Sequence, residues 1–210
     1  MSTRWMVLAA LFAALIAVLA QLAIPLPGGV PFTMQLFGVF LTGSLLGGRW
    51  GAVAMLVYLL LGAAGMPVFS NGHGGLGWLL GPTGGFLIGF LLGVYVQGKI
   101  VEGALKRRPS QPASGEEGGA ARLVGEKIPL PSFWRFLGAM IPCLLISYAV
   151  GTLQFSLVNR MPVPVSLGMT VLPFVPFDAV KMVVAAAVAR GAWAALVAEG
   201  LLPLGQQARS

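Results

Sequence analysis

The chain is built from long apolar runs separated by short breaks rich in glycine and proline. The first run goes from Trp5 to Ile24, and PLPGGVPFT then interrupts it with three prolines. A second, short run covers Met34 to Leu46. GGRWG follows at once, and a third run goes from Ala52 to Met66. The stretch VFSNGHGGLGWLLGPTGG has too many glycines for one regular helix. A fourth run covers Phe86 to Leu105 and a fifth Phe133 to Leu157. NRMPVPVSLG reads as a loop, and a sixth run spans Pro173 to Val197. Residues 106–132 form the one polar, low-complexity segment and read as a flexible cytoplasmic linker. Crossing the hydrocarbon core takes about 20 apolar residues. The pattern predicts an all-α membrane protein, a single domain over residues 1–210 with six transmembrane helices, some short or partly re-entrant.

Composition agrees. The hydrophobic share is 57% and the charged share 9%, with a mean hydropathy of +0.89. A soluble domain has about 25% charged residues. The opening run is longer than the roughly 7–15 residues of a signal-peptide core, so it reads as a retained first helix. The single cysteine, Cys143, excludes an intrachain disulfide.

The net charge of +7 raises the question of nucleic acid, and the placement of the charges answers it. With a cytoplasmic N-terminus, Arg4, Arg49, Lys99, Lys106, Arg107, Arg108, Arg122, Lys127, Arg135, Arg190 and Arg209 all fall on the cytoplasmic side, eleven of the thirteen basic residues. The reverse orientation puts those eleven outside. Basic residues mark the cytoplasmic loops of membrane proteins. The charge is therefore a topology signal, both termini are expected inside, and no nucleic-acid partner is implied. The outer face then carries three loops poor in charge and rich in glycine, proline and aromatic residues.

Two charges break the apolar pattern. Asp178 is the only aspartate in the chain, and Lys181 follows three residues later in the sixth run. That spacing puts both on one helix face. A charge at membrane depth costs at least ~2.5 kcal/mol, which marks the pair as a functional candidate. The alternative is that Asp178 caps its helix and Lys181 partners it, although a cap does not call for a lysine buried one turn deeper. Small residues recur every four positions as Ala9, Ala13 and Ala17, as Gly43, Gly47 and Gly51, and as Gly85, Gly89 and Gly93. Such stripes let helices approach closely. For the glycines, packing within the chain is the favoured reading. For the alanines, docking to another membrane subunit is also open.

Other chemistry is excluded or constrained. GVYVQGKI (93–100) begins like a phosphate loop, but Ile100 stands where magnesium binding needs Ser or Thr, and the stretch lies in an apolar run. No ATP site is left. The only histidine, His73, has no cysteine or acid cluster to make a metal site with, so no metal or cofactor is expected. Without a nucleophile and base arrangement the enzyme case is thin. A binding pocket suits the residues better, with Trp78, Phe69 and Phe32 as apolar walls and a few polar groups to orient a ligand. The same aromatics also fit an interfacial belt.

Taken together, PFTMQ (31–35), GMPVF (65–69), GHGG (72–75), GPTGG (81–85) and PFDAVK (176–181) resemble the biotin-specific S-components (BioY) of energy-coupling factor (ECF) transporters. The resemblance runs from Ala9 to Val188 outside the linker. It implies a multi-pass protein of a bacterial-type cell membrane that binds biotin in a pocket closed by outer loops. The D-x-x-K pair, here Asp178 and Lys181, would contact the ureido end. A loop residue that is often Asn in the family falls on His73, and Gln35 of PFTMQ joins the candidate contacts. Phe86 stands where relatives often carry Tyr and offers no hydroxyl. The stripe Ala9, Ala13 and Ala17 resembles the surface that S-components present to their transmembrane coupling subunit. Two ATPase subunits would then supply the energy. Capture from outside, loop closure and reorientation of the subunit are likewise what the resemblance implies.

The residues fit that ligand on chemical grounds as well. A ureido ring offers two N–H donors and one carbonyl; an aspartate accepts the former and a lysine donates to the latter. In a dry pocket these charge-assisted bonds are strong and directional. Other readings stay open on sequence: an S-component for another vitamin, a proton-coupled secondary carrier with Asp178 as relay, or an intramembrane enzyme using Asp178 and His73.

Overall fold

The computed structural model describes residues 3–25, 29–106 and 131–198. Helix α1 (Thr3–Gln21) ends before Pro25, and Ala23–Ile24 (β1) pairs antiparallel with Phe32–Thr33 (β2) in a two-residue ladder, Ala23 opposite Thr33. Next come α2 (Gln35–Ala63), a 3-10 turn (Ser70–Gly72), the short α3 (Leu76–Leu80), α4 (Gly84–Lys106), α5 (Phe133–Asn159), α6 (Val163–Thr170) and α7 (Val175–Ala198). The expected linker lies almost wholly outside the described residues.

Helix α2 folds back on itself. Gly47 takes φ 77°, ψ −174°, a conformation that only glycine adopts readily. Beyond it, the Cβ position of Gly51 lies 3.6 Å from the Thr42 carbonyl oxygen, and Gln35 Nε2 reaches the Tyr58 hydroxyl at 3.1 Å. On a straight helix residues 35 and 58 would be about 35 Å apart, at 1.5 Å per residue. The two halves are therefore antiparallel, roughly 18 and 24 Å long. They are the second and third runs of the sequence. Among the described residues, four helices are each long and apolar enough to cross a membrane, and α6 with α7, bent by 53°, makes a fifth span. The fold-back of α2 brings the count of crossing segments to six.

One expectation changes. NRMPVPVSLG does not form a loop throughout, because Val163–Thr170 is helical. Proline in the first helical turn costs no hydrogen bond, so the prolines there start a helix rather than break one.

The glycine stripe of α4 is a packing device within the chain. A Cβ on Gly85, Gly89 or Gly93 would lie 2.6 Å from Gln154 Cβ, 2.7 Å from Ser147 Cα or 2.8 Å from Cys143 Sγ. The partner position on α5 falls, from 154 to 147 to 143, as the α4 position rises, so the helices run antiparallel with their backbones nearly touching. Cys143 is completely buried at the Gly93 crossing. Trp5 stacks on Trp50 with ring centroids 5.8 Å apart, and the indole N–H of Trp193 donates to the Ser44 carbonyl at 3.1 Å. Glu102 accepts from Gly48 N–H at 2.8 Å and from Lys99 at 3.1 Å. These contacts gather the start of α1, the Gly47 turn and the far ends of α4 and α7 at one end of the bundle. That end holds Arg4, Arg49, Lys99 and Arg190. The opposite end holds the β-ladder, the 3-10 turn, α3 and the α6–α7 bend.

Candidate functional site: a part-polar cavity at the outer end

The bend between α6 and α7 starts a new helix at membrane depth. The Asp178 N–H donates to the Phe174 carbonyl at 2.8 Å and closes the first turn of α7. Asp178 lies in that turn, where the positive end of the helix dipole favours a carboxylate. Its side chain does not cap the helix. Oδ1 accepts from Lys181 Nζ at 2.8 Å and Oδ2 from the Tyr148 hydroxyl at 2.6 Å. Lys181 also donates to the Thr33 carbonyl at 2.7 Å and sits 3.9 Å from the centre of the Phe32 ring. Asp178 is 3% exposed and Lys181 6%. Burying such charges is tolerable because they neutralise each other and both are hydrogen-bonded. Neither is saturated. An ammonium has three donors and a carboxylate about four lone-pair sites, so one N–H and about two acceptor sites remain.

That capacity faces a cavity with an empty volume of about 580 Å³, open mouth included. Leu36, Phe86, Leu87, Phe90 and Phe174 supply apolar wall, while Val30 and Pro31 line it from the loop before β2 and Trp78 from α3. Gln35, Ser70, Thr83, Tyr148 and Thr170 add polar groups. The irregular backbone around it is held by glutamines at helix ends. Gln21 donates to the Phe69 carbonyl and accepts from Gly72 N–H, and Gln154 donates to the carbonyls of Leu79 and Gly81 at 2.8 and 2.7 Å. Such backbone survives at membrane depth only where its polar groups find partners or line a cavity.

Of the residues singled out from sequence, Asp178, Lys181, Gln35 and Trp78 meet at this cavity. Phe32 stands behind the Lys181 ammonium, edge-on to Phe177 at 5.1 Å, and does not line it. Phe69 turns into the core, fully buried against Tyr58 and against Gly62, where no Cβ competes for the space. His73 is exposed. Its ring stacks on Trp78 at 3.9 Å and 12°, and Nδ1 lies 2.8 Å from the Ser70 carbonyl. It backs a wall of the cavity from outside. Ala9 and Ala13 point into the protein, each 2% exposed, and Ala17 is half-buried against the core. The outward alanines of α1 are Ala10 and Ala14. Tyr148 was not foreseen, although a tyrosine in an apolar run needs a partner for its hydroxyl.

An α-helical bundle with six crossing segments among the described residues, the start of α1 and the end of α7 on one side and a part-polar cavity on the other, is a membrane-embedded solute-binding protein. Comparison with known proteins gives the family: the BioY profile matches residues 1–198, and the chain belongs to the BioY family, which is one of transporters rather than enzymes. It is 40% identical over 187 residues to the biotin transporter BioY of Thermotoga maritima, covering 89% of this chain and 94% of the relative. It is 41% identical over 196 residues to the BioY of Rhodobacter capsulatus, covering 89% and 92%. The BioY of Rhizobium etli is 39% identical over 211 residues, covering 97% and 98%. Among solved structures, the S-component for biotin from an ECF-type ABC transporter superposes with a TM-score of 0.72 at 26% identity, over 90% of this chain and 93% of that one.

Proposed function

We propose that this chain is the substrate-binding membrane subunit of a biotin uptake system. The observation that carries the reading is the buried Asp178–Lys181 pair facing a largely apolar cavity with donor and acceptor capacity to spare. The ureido carbonyl of biotin takes the remaining Lys181 N–H, and a ureido N–H goes to Asp178. The fused ring body and the aliphatic part of the tail lie against Phe86, Phe90 and Phe174. Lys181 is the only cation among the lining residues. With the ureido end on Lys181, the tail carboxylate points to the mouth, where water solvates it. The names of the relatives and of the solved S-component support the same ligand.

Energy comes from partners: a transmembrane coupling subunit and two ATPase subunits. GVYVQGKI lies inside α4, with Gly98 packed against the backbone at Gly47 and Gly48, and has no room for a nucleotide. Helix α1 is the docking element. It lies at the edge of the bundle, and Val7, Ala10, Leu11, Ala14 and Val18 face outward. Its small residues Ala10 and Ala14 admit a close partner helix.

Binding of radiolabelled biotin to the purified protein in detergent is the direct test. Saturable binding at submicromolar concentration, not displaced by excess thiamine or riboflavin, is expected. Absence of binding in that range, or displacement by either vitamin, overturns the reading.

A further inference from the structure

Gln35 is buried, lines the cavity and carries an amide that can present either a donor or an acceptor. Its environment decides which. The Gln35 amide nitrogen lies 3.1 Å from the Tyr58 hydroxyl, and that hydroxyl lies 3.1 Å from the Val68 carbonyl oxygen. Tyr58 is fully buried and has one proton to give. The Val68 carbonyl can only accept, and no other group in the described residues donates to it. The proton therefore goes to Val68, and the Tyr58 oxygen accepts from the Gln35 NH2 group. Turning the amide over would force Tyr58 to donate to Gln35 and leave the Val68 carbonyl unpaired. Gln35 Oε1 has no partner among the described residues. It is also not among the fully enclosed atoms that lack one, which among the described residues are Gln97 Oε1 and Ser166 Oγ. It is open to the cavity.

We infer that Tyr58 is a positioning residue that locks Gln35 as a hydrogen-bond acceptor, and that Gln35 Oε1 and Asp178 each read one of the two N–H groups of the ureido ring. This rests on the biotin reading and deepens it: the site selects a ring with a donor on both sides of its carbonyl. Asp178 comes from α7 and Gln35 from the start of α2, so the two acceptors belong to different elements. An analogue with oxygen in place of one ureido N–H sets an acceptor against an acceptor, and the Tyr58 relay prevents the amide from turning to meet it. Without the relay the amide is free to turn.

The test measures affinities of wild type, Tyr58→Phe and Gln35→Leu, as purified full-length protein, for biotin and for the two cyclic carbamate analogues in which one or other ureido N–H is replaced by O. Tyr58→Phe is expected to lose roughly tenfold for biotin, because its Gln35 NH2 group is left unsatisfied when Oε1 faces the ligand. For one of the two carbamates the same variant is expected to bind as well as wild type or better, since the freed amide can donate to the ring oxygen. Gln35→Leu is expected to weaken biotin by a similar factor while leaving that carbamate within twofold. A loss of equal factor for biotin and both carbamates in each variant overturns the inference and makes Tyr58 merely structural. If Tyr58→Phe does not fold, Gln35→Leu decides alone by the same comparison. If wild type does not bind biotin at all, the function is wrong and not the relay.

Discussion

Removing either member of the Asp178–Lys181 pair strands the other in a place with little water. The effect on affinity should therefore exceed that of losing one hydrogen bond. Asp178→Asn leaves Lys181 with a weaker partner, and Lys181→Met leaves the carboxylate with Tyr148 alone. Each is expected to weaken biotin binding by at least ~1.5 kcal/mol, about tenfold, in a titration on folded protein. Wild-type affinity in both would remove the site assignment. His73 belongs to a different class. It touches Trp78, which touches the cavity, so His73→Ala should cost only about threefold, and His73→Phe, which keeps a flat ring on Trp78, should restore most of it. At this scale the sequence was informative where a residue is out of place in its run. A lone aspartate and a lysine amid apolar residues announce themselves. Tyr148 does not, because its partner lies 30 residues away and a tyrosine in an apolar helix is ordinary. Phe69 and His73 could be placed near the outer loop, but nothing in the letters says which way each ring turns.

Among the elements, α2 shows how two runs and a break become one device. The break GGRWG was legible, and the reason it turns back rather than continuing is the positive φ of Gly47. Gly47→Ala forces a side chain into a backbone region reserved for glycine, at roughly 1–3 kcal/mol. Its thermal midpoint in detergent is expected to fall by several degrees, with the biotin affinity of the folded fraction unchanged. An unaltered midpoint would mean that the turn relaxes to another conformation. The α6 segment was not legible, since proline-rich loops and proline-started short helices look alike in sequence. What decides between them is the bundle, which gives Ser166 and Thr170 a buried place against α5.

For the whole molecule, the charge census and the contacts agree. The six crossing segments of the described residues leave the start of α1 and the end of α7 at the end rich in arginine and lysine, and the cavity opens at the other, where Arg160 ends α5. With the basic end inside, as basic residues dictate, the 3-10 turn faces out. In intact cells a membrane-impermeant maleimide should label Asn71→Cys but label Arg4→Cys only after permeabilisation. The opposite pattern would invert the topology. The fold class, the number of runs and the orientation were all open to a sequence reading, because they follow from where apolar stretches and charges lie. The pairing of helices was not, because a glycine stripe says that something approaches closely without saying what.

That stripe has a practical side. Gly93 brings the α5 backbone so close that the sulfur of Cys143 is sealed between two helices, with no exposed surface. A thiol reagent in the medium finds no target on the folded chain, because the protein's single cysteine is out of its reach. The native sequence thus serves as its own unreactive background. Single cysteines placed around the mouth of the cavity can carry spectroscopic labels, and the distances between them can be followed as ligand binds, without first rebuilding the core.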